Sequence, residues 1–412
     1  MLSVQAFIGI AILVAIGFAA SRNRTHIPWR FVGIAILGQA LTGAFFLHAE
    51  WARQFLGGVT SFANVLEKAT HKATSFVFGY VGSTDLPFEV IPGSSTFIFA
   101  FQVLPVIMVI GALSALLWHW RVLGLVVSAG AWFARKTLGV SPPVGFSAVA
   151  NAFLGMIESP LLIKPYLSKL ATHELFMVMS VGMSTVAGGT AVIIAGIVSK
   201  DPEAFGNVIT ATLMNVPGAI AFSLLILPPK EESQLATESV AIESHYRSSM
   251  DALVTGTADG VKIFVNVISL LIVFITLVAL IDLTLSSFVP DLSLARIMGY
   301  VLAPVTWLLG IEASEMFKAA EILGTKVAVN ELVAYTYLAD SYGTLSAHTH
   351  FVLTFALCGF GNFGSLAIMI GGISAMAPER REEIVRYGLW SLLVAFLTNC
   401  TTAALASIIG FQ

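Results

Sequence analysis

Two glutamates in otherwise apolar stretches are the residues of this sequence best suited to chemistry. Glu158 follows Ile157 in one stretch, and Glu331 follows Asn330 in another. A carboxylate at membrane depth costs several kcal/mol unless it is paired or faces water, so acids kept there are functional by default. A carboxylate accepts hydrogen bonds from two hydroxyl groups, and a neighbouring amide adds donors. Glu331 with Asn330 therefore predicts a site for a polyol or a ribose. The alternatives for the two glutamates are a structural buried pair or loop residues near the surface.

A second polar group lies in the glycine-rich segment 358–365. Asn362 and Ser365 are three residues apart, which would place them on one face of a helix. Glycines around them would let the backbone unwind or approach a ligand closely. Glycines alone often serve close packing between membrane helices. With two polar side chains among them, a ligand-binding face is the better hypothesis.

Asn151 and Thr185 suggest a site for a monovalent cation. Thr185 and Val186 lie in segment 182–189, which is rich in small residues, and a helix break there would free backbone carbonyl groups. Half-helix ends supply such oxygen ligands in secondary transporters. Taken alone, a threonine in a membrane helix more often bonds back to its own turn, so both interpretations stay open at this point.

Composition places these residues in a membrane protein. Of 412 residues 57% are hydrophobic and 11% are charged, whereas soluble proteins carry about 25% charged residues. The net charge of -3 offers no basic field for nucleic acid, so no nucleic-acid partner is expected. Nucleotide-binding, nucleophile-elbow and zinc-protease motifs are absent from the sequence. We therefore expect no enzyme and no ATP-driven pump, and transport would be coupled to an ion gradient or passive.

Apolar runs of the length that crosses a bilayer, about 20 residues, occur eight times. They lie near residues 4–20, 31–48, 96–118, 174–198, 207–228, 263–288, 347–373 and 387–410. Segments 141–168 and 319–343 are interrupted by Gly, Pro and Glu or Asn, and we interpret them as re-entrant hairpins. Each hairpin precedes an interrupted helix and one further span, and the two hairpins would enter from opposite sides. The predicted fold class is an all-α membrane protein of about eight transmembrane helices plus two re-entrant helical hairpins in inverted repeats.

The chain then divides into four parts. They are scaffold helices 1–3 with an outer interfacial segment (1–118), an interfacial helix with hairpin 1 and the first transport repeat (119–228), a cytoplasmic segment with scaffold helix 6 and an outer segment (229–318), and hairpin 2 with the second transport repeat (319–412).

Basic residues predict the orientation of these spans. No basic region precedes the first run, and Arg22, Arg24 and Arg30 follow it, which favours a retained helix with its N-terminus outside. The cytoplasmic loops would then be 21–30, 119–143, 164–173, 229–262 and 374–386, and they hold 14 of the 21 basic residues. The other 7, Lys200 and Lys326 among them, fall outside. This bias favours an N-out, C-out arrangement.

Four stretches of the chain resemble the concentrative nucleoside transporter family. They are 151–166, 179–189, 324–335 and 356–381, with Gly324-Thr325-Lys326, Asn330-Glu331 and Ala356-Leu357-Cys358-Gly359-Phe360 among their motifs. The resemblance implies a homotrimer in contact with membrane lipid, in a bacterial inner membrane. It also implies nucleoside import by an elevator-like movement of the hairpin part, with a sodium ion or proton as coupling ion and no other cofactor.

Carried over position by position, the resemblance implies the roles of individual residues. The ribose would be held by Glu331, Asn362 and Ser365, and Phe360 would be an aromatic residue of the substrate pocket. The motif that faces the nucleobase would begin at Gly155 and end at Glu158. Sodium would be bound by Asn151, Leu154, Thr185 and Val186, with Leu154 and Val186 contributing backbone carbonyl groups. Sodium is favoured over a proton because Asn151 and Thr185 are present. In a proton-coupled protein Glu158 or Glu331 would carry the proton.

One departure from the family concerns the base-facing motif. The family's Gly-Gln-Thr-Glu is Gly155-Met156-Ile157-Glu158 here, so two side chains that read base edges become apolar. A pocket without those groups cannot form hydrogen bonds to the polar edge of a matching base, so discrimination between bases should weaken or change. Met156 and Ile157 would still shape the pocket. The alternatives are a symporter of the same fold for a modified nucleoside or a non-nucleoside solute and, from another class, a membrane receptor or passive channel without coupled transport.

Overall fold

The structure is a computed structural model that describes residues 2–83, 86–89, 96, 98–198, 201, 203–229, 246–290 and 292–410. Within those ranges the regular elements are helices, and no strand is present. Lys200 and Lys230 of the charge count, residue 97 of the third apolar run and residues 230–245 of the predicted cytoplasmic segment lie outside the described residues.

The described residues of the first half of the chain form twelve α-helices. They are α1 (Leu2–Ala19), α2 (Trp29–His48), α3 (Glu50–Phe78), α4 (Phe99–Gln102), α5 (Val106–His119), α6 (Val122–Leu138), α7 (Pro142–Leu154), α8 (Glu158–Leu162), α9 (Lys164–Leu167), α10 (Thr172–Ser184), α11 (Gly188–Ile197) and α12 (Ala204–Ile226). Two short 3-10 helices, Arg24–His26 and Gly79–Gly82, connect them.

The second half forms the remaining helices of the described ranges. They are α13 (Ser249–Phe288), α14 (Leu294–Leu308), α15 (Met316–Ala328), α16 (Glu331–Asp340), α17 (Ala347–Leu357), α18 (Phe363–Met376) and α19 (Arg381–Ile409), with a 3-10 turn at Pro378–Arg380. Among described residues, seven helical stretches are long and apolar enough to cross a membrane. The eighth predicted run, 347–373, is the pair α17 and α18, which is interrupted at its centre.

Both predicted hairpins are present. Hairpin 1 is α7 with α8 and α9, and hairpin 2 is α15 with α16. Helix α7 starts with proline, whose fixed φ suits the first helical position, and it ends before Gly155, whose φ of +109° only glycine adopts without strain. Asn330 caps the start of α16, and its Oδ1 accepts a hydrogen bond from the Val333 amide at 2.9 Å.

The two halves repeat one plan. Glu158 and Glu331 are each the first residue of the second hairpin helix, and α10 and α17 each end 26 residues later, at Ser184 and Leu357. A short unwound segment follows in both cases, and then come α11 and α18. A long helix, α12 or α19, closes each half. The fold class predicted from the sequence is therefore confirmed.

Contacts between helix ends show which loops lie at the same end of the molecule. At one end the Arg22 amide donates to the Ile226 carbonyl group at 2.8 Å, and Arg380 donates to the carbonyl group of Leu170 at 2.6 Å. The loops predicted to be cytoplasmic at 21–30, 164–173 and 374–386 thus share this end with the C-terminus of α12. At the other end His48 bonds to the carbonyl group of Ile409 at 2.7 Å, which joins the last residues of α2 and α19.

Helices α10, α12 and α19 form the centre of the packing, and α1 and α2 lie against α12 and α19. Gln39 of α2 is fully buried there and donates to the Thr402 hydroxyl group at 2.6 Å. Helices α5 and α13 instead pack mainly on each other. Glycines bring their backbones together: a Cβ placed on Gly256 would lie 2.5 Å from the Gly111 carbonyl oxygen.

Candidate functional site

The unwound segments of the two broken helices touch each other between α12 and α19. The Phe360 amide donates to the Thr185 carbonyl group at 3.3 Å. Asn399 of α19 donates from Nδ2 to the carbonyl groups of Ser184 and Cys358, each at 2.8 Å, so one side chain joins both breaks. Gly359 lies against this amide with φ +151°, and a Cβ there would come within 2.6 Å of Asn399 Oδ1. The fold thus brings both halves of the predicted site together.

Glu331 and Asn362 form the polar cluster at the second break. Glu331 is only 5% exposed, and the Asn362 Nδ2 group donates to its Oε2 at 2.9 Å. Asn362 caps α18 by accepting from the Ser365 amide at 2.7 Å. The prediction that Asn362 and Ser365 share a helix face is wrong, because Asn362 precedes the helix, but the cap joins the two residues all the same. Phe360 is half-buried two residues before the cap.

Helix ends explain how a carboxylate is tolerated here. Glu331 begins α16, and Asn362 precedes the first turn of α18. A helix N-terminus carries a partial positive charge and unpaired amide groups, which stabilise an anion or an electron-rich ligand. Glu158 has the same position at the start of α8. Half-helix N-termini pointing at the centre of the molecule are the arrangement that transporters use to hold polar substrates.

Asn151 and Thr185 form the polar cluster at the first break. Asn151 Nδ2 donates to the Thr185 hydroxyl group and, at 3.1 Å, to the Val181 carbonyl group. The Thr185 hydroxyl group also bonds back to Val181 at 3.0 Å, so the local bond expected of a membrane threonine coexists with the contact to hairpin 1. Ser159 Oγ donates to Asn151 Oδ1 at 3.3 Å, and all three side chains are at most 1% exposed.

Neutral oxygen atoms at this break fit a monovalent cation. The cluster combines the Asn151 Oδ1 atom, two hydroxyl groups and the carbonyl ends of α7 and α10, which carry partial negative charge. Leu154 is the half-buried last residue of α7, and Val186 is buried in the unwound segment. Both lie where their carbonyl groups are outside helical hydrogen bonding, as the prediction requires.

The tip of hairpin 1 packs through its two apolar residues. Met156 is buried against α10, where a Cβ on Gly182 would lie 3.3 Å from the Met156 Cβ. Ile157 packs on α18, where a Cβ placed on Gly372 would lie 2.9 Å from the Ile157 Cδ1 atom. Glu158 is half-buried, and its Oε2 lies beside Gly155, where an added Cβ would approach to 2.8 Å. The tip thus contacts both broken helices.

Sequence reasoning missed the role of Lys326. The count of basic residues placed it on the outer side, yet the side chain is 1% exposed and lies inside hairpin 2. The Nζ atom donates to Asn399 Oδ1 at 2.6 Å and to the Ala356 carbonyl group at 3.1 Å. Asn215 of α12 and Asn399 of α19 both donate to the Cys358 carbonyl group at 2.8 Å, so the two long helices hold the second break from both sides. A lysine inside a predicted hairpin was the available signal.

Three family models match the chain. They are described as Na+ dependent nucleoside transporter C-terminus over residues 207–407, Na+ dependent nucleoside transporter N-terminus over residues 8–81, and nucleoside recognition (Gate) over residues 100–201.

Whole-length relatives agree with these matches. The nucleoside permease NupC of Helicobacter pylori is 33% identical over 98% of this chain and 97% of its own length. Sodium/nucleoside cotransporter 1 of Mus musculus is 31% identical over 98% of this chain, which spans 63% of that longer protein. This chain belongs to the sodium-dependent concentrative nucleoside transporter family. It is therefore a membrane transporter and not an enzyme.

Solved structures give the same result. CNTnw in an inward-facing substrate-bound state is 32% identical and superposes with a TM-score of 0.92, with 100% of each chain covered. A substituted CNTnw in an outward-facing state also has a TM-score of 0.92, and it covers 100% of this chain and 99% of its own. The fold has thus been observed open to either side of the membrane, which favours alternating access over a receptor or an open channel.

Proposed function

We propose that the two helix breaks divide the work of sodium-coupled nucleoside import between them. Transport is by alternating access, and sodium is the coupling ion of the family. The first break would bind the sodium ion, and the second would bind the sugar of the nucleoside. The observation that carries this proposal is the buried Asn362–Glu331 bond at converging helix N-termini.

The ribose would replace the internal bond of the substrate cluster. Glu331 has two carboxylate oxygens and can accept from two neighbouring hydroxyl groups, which matches the diol of a ribose. The Asn362 amide, now bonded to Glu331 at 2.9 Å, would donate to a sugar oxygen instead. Ser365 would add a hydroxyl group from the first turn of α18, and Phe360 would face the base.

The sodium ion would bind between α7 and α10. Asn151 and Thr185 would supply side-chain oxygens, and Leu154 and Val186 would supply carbonyl oxygens. The same unwound segment accepts the Phe360 amide at 3.3 Å. An ion that fixes the segment therefore fixes the start of the substrate cluster, which gives the two sites a coupling free energy.

The moving part would contain both hairpins and both broken helices, as in an elevator. The unit of α5 with α13 is the natural stationary partner, because these two helices pack mainly on each other. The chain would be N-out and C-out in a bacterial inner membrane, since the described loops predicted to be cytoplasmic at 21–30, 164–173 and 374–386 meet at one end of the molecule. A homotrimer surrounded by lipid completes the proposal.

Uptake into proteoliposomes tests the function. Purified protein is reconstituted, and sodium and pH gradients are imposed separately while radiolabelled uridine or adenosine is supplied outside. We expect accumulation that requires the inward sodium gradient. Accumulation driven by the pH gradient alone would assign the proton as the coupling ion, and no gradient-driven uptake of any nucleoside would refute nucleoside import.

A modified nucleoside is a second candidate substrate. The Met156 and Ile157 side chains replace polar groups at the base-facing motif, and both pack on apolar surroundings of α10 and α18. A base with an apolar substituent would match this surface better than an unmodified polar edge. Thermal-shift screening of nucleosides, modified nucleosides and free sugars separates these candidates, since the best substrate stabilises the folded protein most at equal concentration.

A further inference from the structure

Lys326 is a buried lysine that neither polar cluster explains. Its Nζ atom donates to the Ala356 carbonyl group at 3.1 Å and to Asn399 Oδ1 at 2.6 Å. Both acceptors belong to the second break, because Ala356 lies in the last turn of α17 and Asn399 also holds the Cys358 carbonyl group. Lysine is almost never fully buried unless it is paired, so a 1% exposed ammonium group at this point requires a reason.

The reason lies in the repeat. In the first half, Asn151 in the last turn of α7 meets the carbonyl end of α10. In the second half, Lys326 in the last turn of α15 meets the carbonyl end of α17. Helix C-termini carry partial negative charge, and two that converge on one point attract a cation. At the first break Asn151 is neutral, so a diffusible cation can bind to the carbonyl ends. At the second break the ammonium group of Lys326 supplies a positive charge from the protein itself.

The neighbouring residues are arranged around this ammonium group. Gly361 lies beside it, since a Cβ there would be 3.7 Å from Nζ, an ordinary van der Waals distance. Glu331 follows five residues further along hairpin 2. The ammonium group thus has two oxygen acceptors, one at the carbonyl end of α17 and one on α19, and a carboxylate on the same hairpin.

We propose that the Lys326 ammonium group is a tethered cation that occupies, in the second repeat, the position of the coupling sodium ion in the first. Lys326 is a positioning residue: it fixes Asn399, which in turn holds the carbonyl groups of Ser184 and Cys358 at both breaks. The protein therefore binds one sodium ion per nucleoside, because its second cation position is permanently filled. This inference rests on the sodium coupling proposed above.

The test measures the sodium dependence of uridine binding to the purified protein. The variants are Lys326→Met, which removes charge but keeps length, and Lys326→Asn, which replaces the ammonium group by an amide like that of Asn151. Lys318→Met is the matched control, because Lys318 lies on the same helix with a side chain that is 56% exposed. Melting temperatures establish that each protein is folded.

Each protein has a defined expected result. Wild type and Lys318→Met should show a Hill coefficient for sodium of about 1. Lys326→Met should bind uridine at least about 10-fold more weakly at every sodium concentration. Lys326→Asn should regain binding at raised sodium with a Hill coefficient near about 2, because its amide oxygen with the two existing acceptors completes a second cation site.

Three results would overturn the inference. The first is wild-type uridine affinity and an unchanged sodium curve in Lys326→Met. The second is equal loss of binding in the two folded Lys326 variants at all sodium concentrations, which indicates a role in packing alone. The third needs no variant: two sodium ions bound per uridine in wild type. Uridine binding that is independent of sodium in wild type would instead refute the proposed sodium coupling itself.

Discussion

At the first helix break the polar side chains carry no ionisable group, whereas the second break includes a glutamate and a lysine. Asn151, Thr185 and Ser159 form the first cluster, and Glu331 and Lys326 lie at the second break. The backbone plan is the same, since both breaks lie 26 residues after the glutamate that starts the second hairpin helix. The comparison teaches that repeated backbone geometry supplies partial charges at fixed points, and side chains then decide what binds there.

The hairpin tips differ in the same sense. Hairpin 1 presents Met156 and Ile157, which are packed on glycines of α10 and α18. Hairpin 2 presents Asn330 and Glu331, of which one caps the helix and the other bonds to Asn362. Base recognition in the first half would therefore depend on shape, and sugar recognition in the second half on hydrogen bonds. Three changes test whether this division holds, and a fourth tests a contact at one end of the molecule.

The largest effect is expected from Glu331→Gln. The neutral amide keeps the shape but loses the charge and one acceptor, and hydrogen bonds to charged groups are the strong ones. Uridine uptake should fall by at least about 100-fold. Glu321→Gln is the control, because Glu321 lies on the same hairpin in a surface pair with Lys318. Full uptake by Glu331→Gln would show that the second break does not bind the sugar.

Thr185→Val should act on sodium rather than on uridine. Valine keeps the volume but removes a hydroxyl oxygen from the first break, so half-saturating sodium should rise by about 10-fold while uridine affinity at saturating sodium changes little. Thr210→Val is the matched control, since Thr210 is fully buried and, among the described residues, its hydroxyl group bonds only to the Gly206 carbonyl group of its own turn, at 2.8 Å. A dependence of uptake on sodium concentration identical to that of wild type would show that Thr185 does not bind the cation.

A double change at hairpin 1, Met156→Gln with Ile157→Thr, should alter base preference alone. The amide and hydroxyl groups can bond to base edges, so the ratio of uridine to adenosine uptake should change by about 10-fold or more. Sodium dependence should stay the same, because neither residue is among the oxygen ligands of the proposed sodium site. An unchanged ratio would indicate that the hairpin 1 tip does not face the base.

The smallest effect concerns Glu315, at the end of the molecule that carries His48 and Ile409. Partial burial raises the pKa of Glu315, but hydrogen bonds from Thr349 and Ser346 together outweigh it and hold the pKa below its ordinary value. A depressed pKa gives a stabilising contribution that is present above the ordinary value and is lost as pH falls through the folded-state value.

The melting temperature checks this contribution. We expect Glu315→Gln to melt slightly lower than wild type at pH 7, with the gap still present at pH 5 and closing only below the ordinary glutamate pKa. A gap that is absent at pH 7, or that closes before pH 5, would show that the contacts to Ser346 and Thr349 do not stabilise the folded carboxylate.

Hydrophobic runs and breaker residues were enough to predict the helices, the two hairpins and the broken helices, because a bilayer requires every backbone group to be paired within helices or near a cavity. Side-chain partners were less predictable. The length of α13, which begins at Ser249 and not near residue 263, could not be read from hydropathy, because its first turns are polar. Side-chain partners depend on where each helix begins and ends, and hydropathy does not give those positions.

Lys326 shows the limit most clearly. The count of basic residues assigned it to the outer side of the membrane, since that rule treats a basic residue as exposed to solvent. Only the three-dimensional meeting of α15 with the carbonyl end of α17 and with Asn399 shows that the ammonium group is buried and bonded. Asn399 is 73 residues further along the chain, and no spacing pattern links the two.

A structure of the protein with sodium and uridine bound tests the division between the breaks most directly. The account predicts one sodium ion on Asn151 and Thr185, the ribose hydroxyl groups on Glu331, and the Lys326 ammonium group still bonded to Asn399. A ribose held by hairpin 1, or a second sodium ion in the place of the Lys326 ammonium group, would contradict it.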